Sequence, residues 1–393
     1  MLTSQDIKIV QSTVPLIEGA GTVVTDHFYN RMFTHNPELK DIFNLSNQET
    51  GRQKVALFEA IVSYAKNLDN VSVLKHAVER IANKHVSFHI KPADYQIVGH
   101  HLIETMRELL SHHFTKAVEE AWTTAYGVLA NLFINREEEL YTFRESSTGG
   151  WRGKRAFGLV EKVNESELVT SFVFEPIDQQ PVMDFNPGQY LGIEIKPSTS
   201  DYIEIRQYSL STSPNGKSYR ISVKRELGEH AGVMSNYLHD HLNVGDIVDL
   251  HAPTGDFFFT DKQAPVVLIS AGVGSTPMQA MLDTLAENHY QQPVMYLHAC
   301  ENKAQHSFRQ HTAEVCQLHG WKHYTWYNNE QGDGDQTFNG FIQFSQVELP
   351  TTTGDFYLCG PVGFMKFAKD SLVELGVSED RIHYEVFGPH ADL

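Results

Sequence analysis

Apolar side chains return at helical spacing along residues 1–143. Val55, Phe58, Ile61, Val62 and Ala65 make one such face, and Ala121, Ala125, Val128, Leu129 and Leu132 make another. Thr3 to Asp6, and Pro92 followed by Asp94, read as helix starts. Glycine is sparse and proline occurs only at positions 15, 37 and 92. The pattern predicts an all-α domain over 1–143, closed by a polar, glycine-rich linker over 144–152 that contains Glu145-Ser-Ser-Thr-Gly-Gly150. From 153 to 262 short β runs (168–174, 190–195, 219–224, 247–252) alternate with Asn186-Pro-Gly188, Asn215-Gly216 and Gly245-Asp246. That texture predicts a six-stranded antiparallel barrel. Over 263–393 strands alternate with helices: strand 265–270, a glycine turn, helix 278–287, strand 294–299, helix 309–318, and strands 323–327 and 355–359. Such alternation predicts a parallel sheet with helices on both faces.

Composition narrows the class. A fifth of the 393 residues are charged and 41% are hydrophobic, as in ordinary soluble proteins. The formal net charge of -18 argues against nucleic acid or anionic membrane as the main partner. Three cysteines, Cys300, Cys316 and Cys359, with no Cys-x-x-Cys, argue against a disulfide framework and for a reducing compartment. Residues 1–14 carry no apolar signal-peptide core, and no run of about 18 apolar residues exists to span a membrane. The expectation is a cytoplasmic protein.

Three groups of residues carry chemistry. In the third segment, Ala271-Gly-Val-Gly-Ser-Thr-Pro277 links a strand to a helix. Gly272 and Gly274 allow a sharp turn and a close approach to a pyrophosphate, and Pro277 can open the helix whose amides favour an anion. A plain tight turn would look the same. A second turn, Cys359-Gly360-Pro361 onwards, has the same strand-to-helix context. In the middle segment, Arg206-Gln-Tyr-Ser209 sits at the end of a β run, with Pro187-Gly-Gln-Tyr190 upstream and Ala231-Gly-Val-Met-Ser-Asn236 downstream. Arginine can pair with a pyrophosphate, tyrosine can stack on a flavin ring and serine can bond to a flavin nitrogen or oxygen. A cross-strand Arg–Tyr pair on a barrel surface is the alternative. In the first segment, 21 histidines in the chain make the choice of one non-trivial. His85 follows Ala77, Val78 and Ile81 at helical spacing, which puts it near an inward face, and His89 competes one turn later.

Taken together, Arg206 to Ser209, the two glycine turns and Tyr384-Glu-Val-Phe-Gly388 resemble the ferredoxin-NADP reductase family over residues 152–393. The first 143 residues resemble a bacterial globin, with Pro37 before Phe43, Gln53 and Leu57 four apart on one helix face, Tyr29 between Phe28 and Phe33, and His85. A globin joined to an FAD/NAD reductase is the flavohaemoglobin arrangement. The resemblance implies a nitric oxide dioxygenase with one haem b and one FAD, in which electrons pass from NADH or NADPH through FAD to the haem and NO and O2 become nitrate. A monomer is expected. No Cys-x-x-Cys-His occurs, so the haem would be non-covalent.

The resemblance further implies residue roles. His85 is the proximal iron ligand, backed by Tyr95 and Glu137, a carboxylate that makes the imidazole more basic. Read on its own, Arg136-Glu-Glu-Glu139 is a solvated charge run, and Tyr29 is a core aromatic. Within the family pattern Tyr29 and Gln53 sit on the distal side, where the tyrosine can donate to bound O2, while Phe43 and Leu57 shape the pocket. Lys84 and Glu385 match positions that tune the haem and flavin. Tyr190, Arg206, Gln207, Tyr208, Ser209, Phe387, Gly388, Pro389 and His390 belong to the FAD site. Gly272, Val273, Gly274, Ser275, Thr276, Pro277, Cys359, Gly360 and Pro361 belong to the nucleotide site. Glu301, the first charged residue after the second strand of that domain, favours NADH over NADPH, because it suits a ribose hydroxyl and repels a phosphate. The competing functions are a haem-based sensor or oxygen store coupled to a reductase, and a reductase whose helical segment is only an interaction module.

Overall fold

A computed structural model describes residues 2–43, 51–198, 200–228, 231–332 and 334–388. The chain forms two compact units, one built on residues up to Ser147 together with 151–154 and 194–206, the other on the remainder.

The first unit is helical: α1 (Ser4–Ala20), α2 (Val23–His35), α3 (Arg52–Lys66), α4 (Lys75–Val86), α5 (Pro92–Leu110) and α6 (Lys116–Ser146). Both predicted helix starts are present. At α1 the Thr3 hydroxyl accepts the Asp6 N–H at 3.2 Å while the Asp6 carboxylate accepts the Thr3 N–H at 2.8 Å, satisfying two otherwise orphaned donors. At α5 Pro92 occupies the first turn, where no N–H is needed, and Asp94 accepts the Lys91 N–H at 2.7 Å. The core gathers Val10, Val14, Ile17, Phe28, Met32, Leu102, Met106, Trp122 and Ala125. The Trp122 indole donates to Thr13 of α1 at 3.0 Å, so its one polar atom is not stranded.

The predicted apolar faces need correction at their rims. Val55, Val128 and Leu132 are exposed, whereas Ile61, Ala65, Ala121 and Ala125 are buried. The buried stripe of α6 runs through Ala121, Trp122, Ala125, Ala130, Phe133, Glu137, Leu140 and Tyr141. Val128 and Leu132 lie to one side of that stripe, Leu132 one residue, about 100°, from Phe133. The same helix continues to Ser146, three residues into the segment read as linker, and Ser147 ends it. Among the described residues no helix is long and apolar enough to cross a membrane.

The antiparallel sheet comprises β1 (Lys154–Asn164), β2 (Val169–Pro176), β3 (Tyr190–Ile195), β4 (Glu204–Ser209), β5 (Tyr219–Lys224) and β6 (Ile247–His251), in the order β4-β3-β6-β1-β2-β5. A bridge from Leu210, just past β4, to Ile221 of β5 joins the two edges, the closure expected of a barrel. A short helix, α7 (Val233–Asp240), follows β5.

The last region holds β7 (Val266–Ala271), α8 (Ser275–Glu287), β8 (Val294–Cys300), α9 (Arg309–His319), β9 (Lys322–Tyr327), β10 (Thr337–Asn339), β11 (Asp355–Cys359), α10 (Val362–Glu374) and β12 (Ile382–Glu385). All five neighbouring pairs are parallel, in the order β10-β9-β8-β7-β11-β12. Parallel strands buried on both faces need continuous apolar runs, and all six residues of β7 are buried. One layer packs Val266, Leu268, Val294, Tyr296 and Tyr357 beneath α8; the other packs Val267, Ile269, Leu297, Phe356 and Leu358 on the opposite side.

The chain reverses its direction of travel across this sheet between β7 and β11, so the two glycine turns emerge side by side. A Cβ on Gly274 would lie 2.1 Å from the Cys359 carbonyl oxygen, and Gly272 has φ +53°. The first constraint is steric and the second conformational. Gly274→Ala should therefore cost about 1–3 kcal/mol in urea unfolding, as overpacking does; a midpoint equal to that of the unsubstituted chain would show that the turns do not need this contact.

Candidate functional site

The helical unit encloses a cavity of about 260 Å³ among α2 to α6. Its walls are aromatic and aliphatic: Phe28, Leu39, Phe43, Leu57, Val98 and Phe133 are among them. The polar side chains that reach it include Tyr29, Gln53, His85 and Tyr95. Tyr29 is buried and packed edge-on against Phe28 and Phe43, with ring centroids 5.0 and 5.8 Å away. The side-chain oxygen of Gln53 is buried and meets no hydrogen-bond partner among the described residues. A buried acceptor is costly unless something satisfies it, so the cavity's own chemistry leaves a place for a polar ligand atom.

His85, near the end of α4, is fixed from behind. Its Nδ1 lies 2.7 Å from the Glu137 Oε1 of α6 and 2.8 Å from the Tyr95 hydroxyl of α5. The Tyr95 hydroxyl donates to the same carboxylate oxygen in a short hydrogen bond. Burial first, and then the Glu137 charge, push the Tyr95 phenol far above its ordinary range, so it stays protonated and remains a donor. With Nδ1–H directed at the carboxylate, Nε2 is the ring nitrogen available to the cavity. The Phe133 ring, 5.7 Å from the imidazole, completes the seat. Glu137 is only 3% exposed, which overturns its reading as part of a solvated run. The neighbouring Arg136 and Glu138 do behave as surface charges, pairing with Glu79 and Arg152. His89 has left-handed backbone just beyond α4, packs on Tyr141 and does not line the cavity.

In the barrel, Arg206-Gln-Tyr-Ser209 forms the last four residues of β4, at the end of a β run as the sequence suggests. Strand alternation places Arg206 and Tyr208 on one face and Gln207 and Ser209 on the other. The Arg206 guanidinium lies 2.5 Å from Glu204 and donates to the Ile205 carbonyl at 2.8 Å, so an anion there would share it. Tyr190 opens β3, exchanges backbone hydrogen bonds with Thr254 at 2.8 and 2.9 Å, and has Gly255 against its ring.

In the parallel sheet both glycine turns lie at carboxyl ends of adjacent strands, at the point where strand order reverses. That crevice is where open α/β sheets take ligands. Ser275, Thr276 and Pro277 form the buried first turn of α8, and the Ser275 hydroxyl is buried without a partner among the described residues. The Cys359 side chain is wholly buried and its thiol is pushed up by desolvation, so this residue and Gly360 offer a ligand backbone only. At the end of β8 the Glu301 carboxylate accepts from Asn328 and Asn329 at 3.1 and 2.5 Å, while Lys303 pairs with Glu330 at 3.5 Å.

Three family models match the chain: Globin over residues 26–132, Oxidoreductase FAD-binding domain over 156–259 and Oxidoreductase NAD-binding domain over 268–370. A curated relative, the Flavohemoprotein of Vibrio cholerae serotype O1, is 56% identical over 395 residues and covers 100% of both chains. The present chain belongs to the flavohaemoprotein family. The flavohemoglobin of Malassezia yamatoensis, solved with bound FAD and heme, is 30% identical, with a TM-score of 0.88 over 98% of this chain and all of that one. The FAD/NAD-binding domain of nitric oxide dioxygenase from Vibrio cholerae O1 biovar El Tor is 52% identical, with a TM-score of 0.58 over 60% of this chain and 99% of that one.

For a flavohaemoprotein of this sequence, the structure gathers Tyr29, Phe43, Gln53, Leu57, His85 and Tyr95 around one cavity, with Glu137 immediately behind His85. Lys84 is half-buried next to His85 but is not part of the wall. Glu385 ends β12 in register with Cys359, beside the second glycine turn, and Phe387 is exposed just after it. Gly388 has φ +128°; Pro389 and His390 lie outside the described residues. The sequence pattern did not single out Phe133, Ile90 or Val98, all of which line the cavity, as does Ile81 of the apolar face beside His85. Phe133 was legible in principle, since it stands one turn from Glu137 on the same helix face.

Proposed function

We propose that this protein is a nitric oxide dioxygenase that draws electrons from NADH through FAD to a haem b and converts NO and O2 to nitrate. The observation that carries the reading is the buried carboxylate behind a single cavity histidine, in a chain that also has the family's FAD- and NAD-binding domains. One imidazole holds an iron only where the iron brings its other ligands with it, as a porphyrin does, and the apolar walls with one orphaned glutamine oxygen fit such a group. The haem would supply the iron at which O2 is activated, and the flavin would split a two-electron donor into single-electron steps.

The chain's own residues do the rest. His85 Nε2 would hold the iron, while Glu137 and Tyr95 fix the ring and raise its basicity through Nδ1–H. An oxygen store has no use for that carboxylate, which favours activation. Tyr29 and Gln53 would orient a diatomic substrate on the other side, and the hydrocarbon walls would exclude water. Arg206 and Tyr208 would take the FAD pyrophosphate and ring, with Tyr190, Gln207 and Ser209 beside them and Phe387 and Gly388 over the flavin. Gly272 to Pro277 and Cys359 to Pro361 would receive the nucleotide, and Lys84 and Glu385 would adjust the haem and flavin potentials.

Three outcomes follow from these assignments. His85→Ala should remove the Soret band and leave FAD bound; a Soret band kept by that variant and lost in His89→Ala would overturn the ligand assignment. Tyr29→Phe should keep both groups yet slow NO consumption and speed O2 release, with a loss on the order of 2–4 kcal/mol in transition-state stabilisation. Unchanged rates for both would remove Tyr29 from the site. In steady-state kinetics kcat/KM should be higher for NADH than for NADPH, because Glu301 at the end of β8 repels a 2′-phosphate and Lys303 is already paired. The reverse order would place Glu301 away from the ribose.

A further inference from the structure

The Asp283 carboxylate is enclosed where barrel and parallel sheet meet within the second unit. It belongs to α8, the helix that begins at the first glycine turn, and stands two turns further along. Its side chain is 11% exposed. The Gln279 amide donates to its Oδ1 at 2.8 Å, and the Thr312 hydroxyl of α9 supports that amide at 3.1 Å. His311 of α9 places Nε2 2.7 Å from the same oxygen. From the barrel, Arg220 of β5 brings Nη2 to 3.7 Å from Oδ2.

Arg220 is itself held in place. Its Nε lies 3.2 Å from the Ser211 hydroxyl, and its Nη2 donates to the Ser211 carbonyl in a short hydrogen bond. Its guanidinium lies 5.6 Å from the centre of the Phe308 ring. Phe308 caps α9 with φ +59°, a conformation that an aromatic residue rarely adopts without compensation, and it is buried. The surrounding joint is polar and short: Ser213 donates to Glu287 of α8 at 2.6 Å, the Ser307 hydroxyl meets Ser166 at 2.9 Å, and the Glu167 N–H meets the Ala304 carbonyl at 2.8 Å.

We propose that Asp283 is a positioning residue for hydride transfer from nicotinamide to flavin, setting the glycine-turn helix against the barrel by sharing its carboxylate between Arg220 and His311. The inference rests on FAD occupying the barrel and the nucleotide occupying the glycine turns. Hydride transfer depends steeply on the approach of the two rings, and a displacement of about 1 Å can cost on the order of 10²-fold. Asp283 stands two turns below the turn that would hold the nucleotide, so it acts through the placement of α8 and not by contact.

The groups facing His311 are Asp283, Arg220 and Glu165 of the turn after β1. The Asp283 hydrogen bond holds the His311 pKa above its ordinary value. While His311 is charged, two cations divide one carboxylate; as it loses its proton, Arg220 takes the larger share and the joint tightens. Flavin reduction should therefore quicken as pH rises through the His311 pKa.

Anaerobic stopped-flow reduction of the flavin by NADH, in the full-length protein loaded with haem and FAD, tests this. Asp283→Asn preserves volume and one acceptor oxygen for Gln279 and His311, and removes the charge and the acceptor facing Arg220. It should lower the limiting rate at least fivefold, change the apparent Kd for NADH less than twofold, leave FAD and haem content intact, and abolish the pH step. His311→Gln should also lose the step. Arg220→Gln should reproduce the slow rate from the barrel side, serving as the test if Asp283→Asn does not accumulate, and the double variant should be no slower than either single one. A limiting rate in Asp283→Asn or Arg220→Gln equal to that of the unsubstituted protein, or a pH step that survives in His311→Gln, would overturn the proposal. If NADH fails to reduce the flavin of the unsubstituted protein, the assignment of the two modules falls, and the proposal with it.

Discussion

A carboxylate withdrawn from water must be met by donors, and Glu137 is the place where this protein's helical unit answers that demand. Burying an unpaired charge costs several kcal/mol, far more than one neutral hydrogen bond returns. Glu137 has two donors, from His85 of α4 and Tyr95 of α5, so a single oxygen ties together three successive helices. The imidazole then has one permitted orientation, with Nδ1 towards α6 and Nε2 towards the cavity. The cavity walls in front of the imidazole are largely apolar. Tyr126 shows the pattern nearby: its hydroxyl donates to the Tyr95 carbonyl at 2.6 Å and leaves only ring carbon for the cavity.

The second unit answers a different constraint, the covalent path through a parallel sheet. Strands β7 and β11 are neighbours with the chain departing to opposite sides, and this alone brings two turns together that are nearly ninety residues apart. Their contact is so close that one of them must lack a Cβ where it meets the other's carbonyl. The glycines are therefore explained twice, once by what the turns leave open to a ligand and once by what they press against. Gly360 repeats the theme, since a Cβ there would lie 3.1 Å from the Ala271 side chain.

The two polar centres are built on opposite principles. Behind His85, the carboxylate is nearly sealed and its donors are few and fixed. At Asp283, the pairing spans barrel and sheet, and one partner, His311, has a side chain about half exposed. A sealed pair holds a single orientation, whereas a joint with a solvent-facing member can respond to its surroundings.

Much of this was legible along the chain. The helical, antiparallel and alternating textures determined the order of the three folds, because each depends on local periodicity and turn chemistry. The capping residues Thr3, Asp6 and Asp94 were legible for the same reason, as their partners lie within one turn. The glycine turns were visible as motifs, and the family resemblance selected His85. What the sequence could not decide was everything set by contacts across long separations. Arg136-Glu-Glu-Glu139 reads as one charged surface, yet one of its glutamates points inward while its neighbours face solvent, because successive helical residues differ by about 100° and only the packing of α4 and α5 says which azimuth is inside. Val128 and Leu132 fail in the opposite sense, being apolar residues left outside by the same rotation. The choice between His85 and His89 is likewise tertiary: one lies in the last turn of α4 and the other just beyond it, and only the one facing Glu137 and Tyr95 reaches the cavity. Periodicity is a property of one segment, but inside and outside are defined by the segments packed against it.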